Sequence, residues 1–144
     1  MALADKKVKA ISVGQRHMAA VTDDGNVYTW GDGMGGRLGH GNIDDQTKPK
    51  QVMALDTSHV VDVGCGGHHT AVVTTNHEVF VWGHGLHGRA GVESRSDLLP
   101  ELINGLQAIQ VECGDGHIVA LSPSGVVYTW VPYSLSCLCF VLCE

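Results

Sequence analysis

The chain has 144 residues, of which 44% are apolar and 17% charged; that balance excludes a disordered chain, and the length allows a buried core. The net charge of −6 is the reverse of the basic face a general nucleic-acid binder carries, so nucleic acid is not expected as a partner. Nineteen glycines, roughly twice the usual share, point to many short elements joined by tight turns.

Residues 1–10 lack the apolar stretch of a signal peptide. An odd set of cysteines (Cys65, Cys113, Cys137, Cys139 and Cys143) with no secretory signal predicts reduced thiols and a cytoplasmic or nuclear setting. The first predicted strand is Val8–Val13, followed by strands over 18–22 and 27–30. Asp23, Asp24, Gly25 and Asn26 between these two form a hairpin-turn signal, because glycine accepts positive φ. A glycine loop follows from Trp30 to Gly39, and a fourth strand is expected near 51–53.

The pattern then repeats. Residues 60–63 and 108–111 supply the next two opening strands, and a further strand is expected near 100–103. The second hairpin turn falls on Asn76 and His77, with Asn76 the residue expected to tolerate the left-handed conformation. The third falls on Ser124 and Gly125. Trp30, Trp82 and Trp130 mark a period near 50 residues, and Gly14, Gly66, Gly114 and His17, His69, His117 fall in register before them. Four short strands per ~50 residues is the composition of a propeller blade.

Carried by Cys65-Gly-Gly-His-His-Thr70, Asp24-Gly-Asn-Val-Tyr-Thr-Trp-Gly31 and the two glycine loops after Trp30 and Trp82, the pattern resembles the regulator of chromosome condensation repeat family. The resemblance covers about residues 8–130 and implies a propeller of about seven blades. The predicted fold is therefore all-β: a partial β-propeller of two full four-stranded blades plus most of a third, an open arc. The units are placed at about 8–58, 59–105 and 106–130. Residues 131–144 have no glycine where the other copies have a glycine loop; they read as a non-repeat, apolar, Cys-rich tail foreign to the repeat. The apolar run within it is well short of the ~20 residues that span a bilayer, so no membrane span is expected.

Each glycine loop contains G-x-G-x-x-G (Gly31, Gly33, Gly36; Gly83, Gly85, Gly88), but no helix follows to hold a pyrophosphate, and no cofactor is expected. Cys65, His68, His69, His84 and His87 invite a zinc reading, yet their spacing does not fit a closed site, and no metal is expected. No catalytic constellation stands out, so the chain is read as a non-enzyme. The candidate partner-binding loop residues are Arg37, His40, His84, His87 and Arg89. The expected structural positions are Gly14, His17, Trp30, Gly31, Gly36, Gly66, His69, Trp82, Gly83, Gly88, Gly114, His117 and Trp130.

The leading functional expectation is a non-catalytic protein-interaction scaffold, which the resemblance extends to small-GTPase regulation. Two alternatives stand beside it: a guanine-nucleotide exchange factor for a Ran-type small GTPase, and a truncated product without independent function. An open arc also exposes apolar sheet faces, which invites self-association through the propeller ends.

Overall fold

A computed structural model describes residues 3–84, 98–130 and 139–141. Among these residues three antiparallel four-stranded sheets follow one another along the chain. The first contains β1 (Val8–Val13), β2 (His17–Thr22), β3 (Val27–Gly31) and β4 (Gln46–Gln51). The second contains β5 (Val60–Cys65), β6 (His69–Thr74), β7 (Glu78–Gly83) and β8 (Glu101–Gln107). The third contains β9 (Gln110–Cys113), β10 (Ile118–Leu121), β11 (Val127–Trp130) and β12 (Cys139–Val141). Within each sheet, strands adjacent in sequence are neighbours in space, the up-and-down order of a propeller blade.

The local chemistry explains the strands. β-Branched and small apolar residues fill much of β2, β5 and β6; the middle sheet packs against a sheet on each side, and every residue of β6 is buried. Pro49 is tolerated in β4 because that strand is the outermost of its sheet and its missing N–H breaks no central ladder. The strands expected near 51–53 and 100–103 fall instead at 46–51 and 101–107, while Met53–Leu55 form a 3-10 turn. β8 thus crosses the expected unit limit at 105.

The three hairpins between second and third strands close alike. The N–H groups of Gly25, His77 and Gly125 donate to the carbonyls of Thr22, Thr74 and Ser122 at 2.8, 3.0 and 3.1 Å. All three donors have left-handed backbone, with φ of 82°, 64° and 85°. In the second turn it is therefore His77, not Asn76, that takes the left-handed place. The hydrogen-bonded position in the turn fixes which residue must bend, whatever the side-chain preference of its neighbour.

Of the segment read as a non-repeat tail, residues 139–141 are described: β12 pairs antiparallel with β11 and takes the fourth place of the third sheet. The pairing is main-chain, so it asks only for an extended segment beside an open strand edge.

The core lies between sheets. Ala19, Val21, Val27, Val52 and Leu55 of the first sheet and its following turn pack against Val60, Val63, Cys65, Val72 and Trp82 of the second. Ala71, Val73, Val79, Val81 and Leu106 of the second pack in the same way against Ala108, Val111, Ile118 and Ala120 of the third. Each buried branched aliphatic contributes about 1.5–3 kcal/mol, so these two seams hold most of the apolar stabilisation. Carbonyls of the hairpin turns cross the seams too: Gly25 accepts from Val60 N–H at 3.0 Å and His77 from Ala108 N–H at 2.9 Å. At the other end of the strands the glycines of successive sheets nearly touch, and a Cβ on Gly14 would lie 2.3 Å from the Gly66 carbonyl oxygen. Here glycine is required for the approach of backbone to backbone.

Candidate functional site

Among the described residues, the loop leaving β3 is the most elaborate. Asp32 accepts the Met34 N–H at 2.8 Å and Asp45 the Gly33 N–H at 2.9 Å, closing the loop around the 3-10 turn Met34–Gly36. The Met34 N–H is also the chief reason that the Asp32 carboxyl titrates below its ordinary range, with Arg37 and Arg16 adding to the effect. The turn delivers Arg37 into the seam between the first two sheets.

Arg37 was expected to face a partner, but it is 0% exposed. Its guanidinium donates to the Met34 carbonyl at 2.8 Å and, across the seam, to the Gly67 carbonyl at 3.2 Å and His68 Nδ1 at 2.7 Å. Asp32 lies 3.9 Å away as counter-ion. The Arg37 carbonyl is engaged as well, accepting the Thr70 hydroxyl at 2.8 Å and the Trp82 indole N–H at 2.9 Å. One residue of the first blade therefore makes four hydrogen bonds to the second. A planar cation with fixed donors suits this position because the seam offers acceptors at fixed angles and excludes water.

His17 completes the seam. Because the Thr70 hydroxyl donates to Arg37, it must accept from His17, which assigns the ring hydrogen to Nε2 in the 2.8 Å contact. His17 Nδ1 has no partner among the described residues. Burial, reinforced by the Arg37 charge, lowers the His17 pKa to about 4, so the ring is neutral at neutral pH. The ring also stacks against Gly14, where a Cβ would meet it at 2.7 Å, and the same His-over-Gly contact recurs at Gly66 with His69 and at Gly114 with His117. Cys65 sits in the same seam, and burial pushes its thiol up to about 12.

The other expected partner residues divide. His40 is half-buried, donates from Nε2 to the Thr29 hydroxyl at 3.0 Å, and is held below its ordinary pKa chiefly by burial. His84 is exposed and lies against Gly35 of the preceding loop. His87, Arg89 and Gly88 lie outside the described residues, so of the expected cluster His84 is exposed and His40 half-buried. Of the repeat positions, Trp82 is buried beneath Gly39, whose Cβ would lie 2.7 Å from the indole nitrogen. Trp30 is half-buried and His117 is exposed, each at a face that no other described sheet covers. The Trp130 side chain lies outside the described residues. Gly31 and Gly83 share positive φ and press on the backbone at Arg16 and His68.

Sequence reasoning passed over Met34 and Ile43, both 61% exposed. Gly33 packs against the backbone of Ile43 and Asp44, which brings the chain at Met34 and at Ile43 close together in this loop. The signal was an apolar residue beside a glycine turn, hard to notice because apolar residues there usually turn inward. Among the described residues no group of three or more His, Cys, Asp or Glu side chains is placed to hold a metal ion. No helix of the described residues is long and apolar enough to cross a membrane.

Sheet order, repeat period and the recurring Gly–His contact define a blade-repeat β-propeller protein. The chain belongs to the regulator of chromosome condensation (RCC1) repeat family: models of that repeat match residues 24–73 and 76–121, and a second set matches 8–34 and 60–89. It is similar to E3 ubiquitin-protein ligase HERC2 of Homo sapiens, 42% identical over 131 residues, which covers 86% of this chain and 3% of that protein. It is likewise similar to the ultraviolet-B receptor UVR8 of Arabidopsis thaliana, 38% identical over 130 residues, covering 87% of this chain and 30% of the relative. The chain thus spans less than a third of either. Among solved structures, human WBSCR16 superposes with a TM-score of 0.80 at 26% identity, covering 88% of this chain and 33% of that one. Yeast RCC1 (Prp20) bound to Kap60 superposes at 0.73 and 24% identity, covering 86% and 32%.

Proposed function

We propose that this chain is a non-catalytic protein-interaction arc, whose working surface is the rim of the β3–β4 loop. The observation that carries this reading is the pairing of a pinned backbone with outward apolar side chains. Arg37, Asp32 and Asp45 hold the loop from within, while Met34 and Ile43 stand in solvent with the exposed His84 beside them. A preorganised apolar rim loses little conformational entropy on binding, which favours a protein partner. RCC1-type relatives support an interaction or regulatory role in general terms.

Small-GTPase regulation is the finer form of the proposal. Its support is the fold shared with Prp20p of Saccharomyces cerevisiae, whose crystal structure was described with that protein's binding to Gsp1p and histones. A cytoplasmic or nuclear setting is part of the same reading, as is self-association through the uncovered sheet faces.

The test is cross-linking mass spectrometry of the tagged chain in cells, comparing wild type with the M34D/I43D double variant at matched stability. Loss of specific cross-linked partners in the variant is the expected result, and an unchanged partner set refutes the loop as the surface. Added to a Ran-type GTPase loaded with labelled GDP, the chain is expected to leave nucleotide release at its intrinsic rate; acceleration would promote the exchange-factor reading. A purified chain with no cooperative unfolding would favour the reading of a product without independent function.

A further inference from the structure

An asparagine side chain followed by glycine is open to attack by its own backbone, because glycine has no Cβ to shield the attacking nitrogen. Asn104 is followed by Gly105, whereas Asn26, Asn42 and Asn76 precede Val27, Ile43 and His77. The structure sets the Asn104–Gly105 pair in an open part of the second blade. β7 and β8 pair through Val81 with Glu101, Phe80 with Leu102 and Glu78 with Gln107, so residues 103–106 bulge opposite Val79 alone. Asn104 and Gly105 are both exposed, Gly105 has a φ of 79°, and a Cβ on it would meet nothing within 4 Å. Turning the Asn104 carboxamide toward the Gly105 nitrogen disturbs none of those three pairs.

The related Asp–Gly pairs are held. Gly25 N–H donates to the Thr22 carbonyl at 2.8 Å, and the Asp24 carboxylate accepts from the Thr22 hydroxyl and from Lys6 Nζ. Gly33 N–H donates to Asp45 at 2.9 Å, and Asp32 accepts the Met34 N–H at 2.8 Å. Asp115 accepts from the Gln15 side chain. Those three are also carboxylates, poorer electrophiles than the Asn104 amide.

We propose that Asn104 is a self-modification site whose co-reactant is water. The Gly105 backbone nitrogen gives up its proton to solvent base and bonds to Asn104 Cγ. The bond from Cγ to the side-chain nitrogen breaks, and that nitrogen takes a proton and leaves as ammonia. Water then opens the five-membered imide at either carbonyl, giving aspartate or isoaspartate. No electrons are transferred.

The product bears on the core. Leu106, two residues on, is 6% exposed and packs in the second seam with Ala108 and Val111. Isoaspartate carries the main chain through Cβ and Cγ, adding a methylene to the bulge between fixed pairs at Leu102 and Gln107. Leu106 is displaced with it, so the modification loosens the seat of the third sheet on the second. The inference concerns β8 and goes beyond the β3–β4 rim.

The full chain is aged at pH 8 and at pH 5, digested at acidic pH so that handling adds no conversion, and mapped by peptide mass. Amide-to-acid conversion at Asn104 is expected to run about tenfold ahead of that at Asn26, Asn42 and Asn76, where a side chain follows the asparagine. It is expected to be faster at pH 8, with isoaspartate and aspartate separated by electron-transfer fragmentation. The aged chain is expected to unfold at lower urea than the fresh chain. N104Q, which requires a larger ring to close, is expected to keep its urea midpoint through the same ageing. An Asn104 that stays an amide while the urea-unfolded chain converts overturns the site, as does conversion at the other three asparagines at an equal rate. A converted chain with an unchanged urea midpoint overturns the link to the second seam. M34D/I43D is expected to age like wild type, so this inference and the loop reading fail separately.

Discussion

Replacing Arg37 by alanine is the most informative single change in this chain. The substitution removes the guanidinium and leaves the backbone carbonyl, so the bonds from Thr70 and Trp82 can persist. What disappears is the donation to Met34 O, Gly67 O and His68 Nδ1, together with the Asp32 pairing. Gly67 is buried, so its carbonyl oxygen is left without that donor away from bulk water. A buried acceptor stranded in this way costs about 1–3 kcal/mol, and hydrogen bonds to a charged group contribute about 1.5–3 kcal/mol each. The void left by a fully buried side chain adds to this, partly offset by releasing the desolvated charge. The expected loss is about 3–5 kcal/mol, a large share of the roughly 5–15 kcal/mol available to a domain. Urea unfolding followed by tryptophan fluorescence reads it directly, because Trp82 lies in the same seam. R37K is expected to recover less than half of the loss, since a point charge cannot reach both Gly67 and His68. An R37A midpoint within ~0.5 kcal/mol of wild type would refute the assignment of Arg37 as the inter-blade clamp.

Other outcomes follow from the same seam. His17 binds its proton at a pKa of about 4 in the folded chain and near its ordinary 6.5 when unfolded, so on acidification the unfolded state takes up the proton first. The stability due to neutral His17 is complete above about pH 6.5 and is lost as pH falls toward 4, by up to about 3 kcal/mol; urea titrations at pH 7 and 4.5 should show a smaller loss in H17Q. G25A should destabilise more than G125A in thermal melts. Both incur the left-handed penalty of about 1–2 kcal/mol, but only Gly25 faces the His59 backbone. Buried and held as a thiol, Cys65 should resist iodoacetamide at pH 8 until the chain is unfolded, as read by peptide mass mapping.

The sequence by itself determined the period, the strand content and the hairpins, because these depend on local chemistry. Alternating apolar residues, turn glycines and a tryptophan at each third strand place β1 to β3 and their counterparts within a residue or two. It also singled out Gly14 with His17 and their equivalents, since a contact within one unit repeats with the unit. Local preference misled where pairing outranks it, as at His77, where the turn's hydrogen bond decides which residue takes positive φ, and it misplaced the strand expected at 51–53, where Met53–Leu55 form a 3-10 turn.

What the tertiary structure decided is which side of each repeated residue meets another blade. Arg37 follows a glycine turn in a polar loop, and nothing local distinguishes an arginine that faces solvent from one that enters a seam. Its partners lie some 30 residues away at Gly67 and His68, and they reach it only when two sheets pack. The same holds for His17 and His117, identical in repeat register but opposite in exposure. Burial there is a property of the neighbouring sheet, and a residue's own repeat carries no record of whether that neighbour is present.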